Sequence, residues 1–164
     1  METDIVIGYK DKIENASAEE QEKLFREMGE AILNHRRITS SGIMQMMKME
    51  MADCSYSEKS IILRFPVEHW ELNPLQTMHG GLSATACDST GGLLARIVSY
   101  TGVTPTVSLN MTYLAPILEN THLMVKARVD HLGKNLAQIS MNGWVEETGK
   151  AAVTAVGIYM LKRL

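Results

Sequence analysis

The feature that most limits what this chain can fold into is the run Gly80 to Tyr100, GGLSATACDSTGGLLARIVSY, which is rich in Gly, Ala, Leu and Ser and shows no two-residue alternation. A segment that is small and apolar on every side suits a helix packed against a sheet, not one lying at a surface. One residue in it does not belong there on hydrophobic grounds. Asp88 is a carboxylate, and burying a carboxylate without a partner or a proton is costly enough that it calls for a use.

On both sides of this run the period changes to two. Leu123, Val125, Ala127 and Val129 alternate with Met124, Lys126 and Arg128, and Ile139, Met141 and Val145 alternate with Gln138, Ser140 and Glu146. HLGKN and EETGK supply glycine-bearing turns, so strands over 122–130, 136–146 and 152–161 are expected to form an antiparallel meander. A further strand is expected over 104–114. Earlier in the chain SIILRFPV (60–67) reads as a strand, as does IMQMMKMEMADC (43–54), where Met47, Met49 and Met51 alternate with Lys48 and Glu50. Ahead of them Ser17 and Glu20 have capping-box spacing, and Leu24, Met28 and Ile32 recur every four residues, predicting an amphipathic helix over 17–37 that the TSSG at 39–42 breaks. The fold class is therefore α+β: one central helix wrapped by an antiparallel sheet, residues 39–164, behind a helical extension, residues 1–38. A length of 164 residues with 45% apolar and 21% charged content suffices for one core and requires no second.

Composition also removes several function classes. A formal net charge of −3 argues against a nucleic-acid partner. The start METDIVIGYKDK has no cationic segment leading into a long apolar one, which predicts no membrane insertion and a cytoplasmic location by default. Cys54 and Cys87 form no close pair and read as buried thiols, while His35, His69, His122 and His131 lack paired ligand spacing, so no metal and no cofactor are expected. GLSAT lacks the closing glycine of a nucleophile elbow, and no phosphate-binding Gly-Lys-Ser/Thr loop occurs.

What remains is the start of the central helix, NPLQTMHGG. If the helix begins at His79 or Gly80, its first amides point out of its end, where an oxyanion is favoured, and glycine leaves room for a carbonyl to approach. Asp88 lies nine residues beyond His79, about half a revolution round the helix at 3.6 residues per turn. One chain cannot easily present both to one substrate; two antiparallel copies of the helix can.

NPLQTMHGGLSATACDSTGG, TPTVSLNMTYLAP and HLGKNLAQ together resemble the hotdog-fold acyl-CoA thioesterases of the phenylacetate-pathway (PaaI-like) type, over about residues 40–164. The resemblance implies hydrolysis of an acyl-CoA substrate at the interface of a homodimer or homotetramer. Asn73 and His79 match residues that position the thioester and assist the leaving thiolate, Gly80 the amide that polarises the carbonyl, and Asp88, from the partner subunit, the carboxylate that activates water or attacks directly. Thr106 falls where a hydroxyl helps hold that water, and Gly81 belongs to the same binding loop. Gln76 stands where many relatives have glycine, which would narrow the pocket or change acyl preference. For the phosphates of coenzyme A the nearest basic candidates are Lys134, in HLGKN, and Arg128, followed by Lys150 and the Arg36, Arg37 pair. Two rivals stand beside this reading: a hotdog dehydratase or hydratase, which the His-Gly-Gly pattern disfavours, and a noncatalytic acyl-CoA binder, for which Asp88 would have no use.

Overall fold

The computed structural model describes residues 2–162. Six strands form one antiparallel sheet: β1 (Glu50–Ser55), β2 (Ser60–Pro66), β3 (Thr106–Tyr113), β4 (His122–Leu132), β5 (Leu136–Val145) and β6 (Ala151–Met160), in the order β1-β2-β4-β5-β6-β3. The meander β4-β5-β6 is the expected one, and the alternation that predicts it is seen as burial: Leu123, Val125, Ala127, Ile139 and Met141 all face the core.

Helices α1 (Glu2–Glu14), α2 (Ala18–Thr39) and α3 (Ile43–Met46) precede the sheet, and α4 (Gly80–Ser99) lies across it, packed against β2, β3, β4, β5 and β6. This is the hotdog arrangement. α4 buries Ser83, Ala86, Cys87, Thr90, Leu94 and Ile97, a stripe at helical spacing, and ends where Tyr100 turns left-handed at φ 52°. Gly91 faces the ring of Tyr159 on β6, and a Cβ placed there would lie 2.7 Å from Cζ of that ring. The central helix can approach the sheet this closely only because that position carries no side chain.

α2 begins as its sequence indicates: the Ser17 side chain accepts from the Glu20 amide at 3.4 Å, and Phe25, Met28, Ile32 and Leu33 are buried. Residues 2–14, within the helical extension expected over 1–38, form a helix of their own, α1, which buries Val6 and Ile13 and packs on α2. One expectation is corrected. The strand expected over 43–54 is confined to its last residues, because Gly42 at φ 69° and Lys48 at φ 44° break the extended backbone on either side of the α3 turn. Met47 and Met49 are still buried, so the methionine pattern reports burial correctly and strand extent incorrectly. No helix among the described residues is long and apolar enough to cross a membrane.

Candidate active site

The loop before α4 is held by Asn73. Its Oδ1 accepts from the amides of Leu75 (2.8 Å) and Thr77 (3.3 Å), and its Nδ2 donates to Thr77 Oγ1 at 2.9 Å. An asparagine side chain that folds its own loop in this way is turn chemistry, and one N–H of the amide is left over for a ligand. Within the same loop Gln76 adopts φ 58°, the left-handed region in which glycine is at no disadvantage. This is the backbone reason for a glycine at that place. The Gln76 side chain is exposed and lines neither cavity described below.

His79 caps α4. Its Nδ1 accepts from the Gly81 amide at 3.0 Å, which leaves the ring proton on Nε2, while its carbonyl accepts from Leu82 and Ser83. The Gly81 amide is thus committed to the cap. The Gly80 amide has no hydrogen-bond partner among the described residues. It borders a cavity of about 340 Å3 whose walls include Asn73, Thr77, Gly80, Ser83 and Tyr113. Tyr113, at the end of β3, donates its hydroxyl to the Gly80 carbonyl at 3.0 Å, and a Cβ on Gly80 would meet its ring at 3.3 Å. Tyr113 and Ser83 are residues of this wall that spacing alone did not single out.

Asp88 borders a different cavity, of about 450 Å3, shared with Thr106, Met44, Glu2, Arg36 and Arg96. It is half-buried; Oδ1 accepts from the Thr106 hydroxyl at 2.7 Å, and its backbone carbonyl accepts from the buried Tyr159 hydroxyl at 3.4 Å. Burial, reinforced by the Asp88 charge, pushes the Cys87 thiol up to about 12 and raises the Tyr159 phenol as well. Both stay protonated at neutral pH. Of the two carboxylates lining the cavity, Glu2 is held by Arg36 and Arg96, whereas the Asp88 carboxylate accepts, among the described residues, only from Thr106 and so has an oxygen open to a ligand. Arg96, like Asp88, is a charge set in an otherwise apolar helix, and its burial carries the same desolvation cost unless it is paired.

Lys134 and Arg128 line neither cavity. Lys134 is exposed in the β4–β5 turn, and Arg128 lies on β4 with its guanidinium 3.6 Å from Asp130. Among the described residues one group has potential metal ligands in mutual reach, His122, Glu146 and Glu147, but His122 Nδ1 sits 2.6 Å from Glu147 and Arg64 engages Glu146 at 2.7 Å, as ordinary ion pairs do.

The chain and its fold have counterparts in known proteins. The family model described as "Thioesterase superfamily" matches residues 75–152. Acyl-coenzyme A thioesterase 13 of Mus musculus is 30% identical over 96 residues, 58% of this chain and 69% of the relative; the Homo sapiens form is 36% identical over 92 residues, 55% and 64%. Among solved structures, the E. coli PaaI protein from the phenylacetic acid degradation operon superposes with a TM-score of 0.70 at 15% identity, covering 82% of this chain and 94% of that one. A hypothetical thioesterase of Streptococcus pneumoniae TIGR4, determined with coenzyme A, superposes with a TM-score of 0.64 at 19% identity, covering 71% and 87%. The family match, the hotdog fold shared with PaaI and the match to the mouse relative agree: this chain belongs to the thioesterase superfamily, among the hotdog-fold acyl-CoA thioesterases.

Proposed function

We propose that this protein hydrolyses acyl-CoA thioesters at a site built from two copies of the chain. The observation that carries the reading is the separation of the two reactive groups. Gly80 and Asp88 border different cavities of one protomer, and eight helical residues place them about 12 Å apart along α4. Strand β3 joins the two cavities, with Thr106 at the Asp88 end and Tyr113 at the Gly80 end, and it is one of the two edges of the sheet, paired among the described residues only with β6. An antiparallel pairing of β3 with β3 about a two-fold axis sets Asp88 of one copy opposite Gly80 of the other.

In that site the Gly80 amide donates to the thioester oxygen, and more strongly as negative charge develops there. Asp88 takes a proton from water as the water oxygen bonds to the carbonyl carbon. The C–S bond then breaks, the free acid forms, and the coenzyme A thiolate leaves and takes up a proton. The spare Asn73 N–H borders the same cavity as a donor to the thioester, and His79, which caps the helix next to Gly80, is our second candidate donor through Nε2–H. Lys134, exposed and without a carboxylate partner among the described residues, and Arg128 are our candidates for the coenzyme A phosphates. The coenzyme A carried by the pneumococcal thioesterase and the names of the mammalian relatives support this substrate class. Asp88 favours an enzyme over a binder.

The test is complementation. Gly80→Pro deletes the free amide at a helix position that accepts proline, and Asp88→Asn deletes the charge. Each variant alone should be inactive. Mixed at equal amounts with subunit exchange, half of the dimers carry one intact site in two, so about a quarter of wild-type turnover should return. No recovery despite demonstrated exchange would place the site within one chain, and no hydrolysis of any acyl-CoA by the parent protein would refute the reading outright.

A further inference from the structure

The far wall of the Asp88 cavity is a carboxylate receptor that is already filled. Arg36 of α2 grips Glu2 of α1 with both arms of its fork, Nε to Oε1 at 3.0 Å and Nη2 to Oε2 at 3.2 Å. Arg96 of α4 pairs with Oε2 of the same carboxylate and donates to the Gly102 carbonyl. Two guanidinium groups from different helices therefore converge on one carboxylate, in the planar two-pronged geometry suited to that group. Their side chains are buried to 15% and 11% exposure, and the Nε of Arg96 is buried with no hydrogen-bond partner among the described residues. The other carboxylate of the cavity, Asp88, accepts from Thr106 and does not share this load.

An acyl chain leading from Asp88 into this cavity meets Met44, Leu93 and Pro105 along the way and the arginine pair with Glu2 at its wall. A long aliphatic tail gains nothing from three charged groups, and it would have to desolvate them. We infer that Arg36 and Arg96 receive the terminal carboxylate of a dicarboxylic acyl thioester, with Glu2 holding the place until that chain displaces it. This rests on the thioesterase reading and adds to it the class of acyl group. The alternative is that the three residues only staple α1 to α2 and α4.

The experiment compares acyl-CoA esters matched in length, succinyl, glutaryl and adipyl against butyryl, valeryl and hexanoyl, as the ratio of kcat/KM within each protein. In Glu2→Gln, which weakens the resident occupant, the best dicarboxylyl-to-neutral ratio should rise at least tenfold. In Arg36→Lys, which keeps the charge and removes the fork, it should fall about tenfold from the wild-type value. A second readout needs no turnover: free glutarate should raise the melting temperature of the Glu2→Gln protein, and not that of Glu2→Gln/Arg36→Lys. Unchanged ratios together with no glutarate response would leave only the staple and overturn the proposal. If no acyl-CoA is hydrolysed at all, the thioesterase reading fails, and glutarate binding alone then decides whether the receptor exists.

Discussion

The hydroxyl of Thr106 donates to Oδ1 of Asp88 at 2.7 Å, and this bond links the first residue of the edge strand to the middle of the central helix. It has two consequences. The donated hydrogen bond fixes the orientation of the carboxylate, and a lone pair of the hydroxyl can accept from the water that Asp88 would deprotonate. Asp88→Asn should lower kcat by about 10² to 10⁴, the usual span for loss of a general base, with the fold retained. Thr106→Val should cost less, on the order of tenfold, and Thr106→Ser should restore most of it, since orientation and not charge is lost. Steady-state kinetics with circular dichroism as a fold check decides this; a Val variant as fast as wild type would free Thr106 of any part in the reaction.

Gln76 occupies a left-handed backbone position at φ 58° with an exposed side chain that lines neither cavity. The strain of that conformation is about 1–2 kcal/mol for a residue with a Cβ, and glycine gives back about half of the relief through its freer unfolded chain. Gln76→Gly should therefore stabilise the protein by roughly 0.5–1 kcal/mol, a rise in Tm of about 1–4 °C at this size. A lower Tm would show that the Gln76 side chain makes contacts in solution worth more than the strain.

Gly91 is the point where α4 comes closest to β6. A methyl there would lie 2.7 Å from Tyr159 Cζ, and that ring is fully buried and holds the Asp88 carbonyl through its hydroxyl. Overpacking of this kind costs about 1–3 kcal/mol. Gly91→Ala should lower the denaturant midpoint accordingly. Because the strained contact is one turn from Asp88, it should also lower kcat, whereas Gly8→Ala, where no heavy atom lies within 4 Å, should lower neither.

The sequence exposed the fold where one pattern repeats along an element. The lack of alternation over α4 and the alternation over β4 and β5 each report one dominant packing face, so both elements were readable. α1 was not, because only Val6 and Ile13 of its residues are buried and its anchor is Glu2 binding Arg36 and Arg96, partners distant in the chain. The α3 turn was hidden by methionines whose period of two survives although Lys48 interrupts the strand. At the site, residue types were legible and their bonds were not. His79, Asn73 and Gly80 stand out as letters, but that His79 spends Nδ1 on the Gly81 amide, leaving Gly80 as the open donor, is a fact of geometry. Glu71 gave no signal at all, since HWEL reads as an ordinary polar turn.

Glu71 nevertheless carries a pH dependence. The residue is 1% exposed, its Oε2 accepts from the Glu68 amide at 3.1 Å, and its Oε1 is buried without a partner. Desolvation is the largest influence and raises its carboxyl above the ordinary glutamate value; the Glu68 amide opposes it more weakly. A folded-state value above the unfolded one means that the native state binds the extra proton between the two, so stability falls as pH rises through that window and stays reduced above it. Glu71→Gln has no such titration. The stability of the variant relative to wild type should therefore increase as pH is raised from 4 through the folded-state value and then level off, whatever its absolute stability. Paired urea denaturation curves at intervals from pH 4 to 8 measure that difference. A difference that is flat, or that runs in wild type's favour with rising pH, would mean that the buried Glu71 Oε1 gains a partner in solution and that desolvation does not govern this carboxyl.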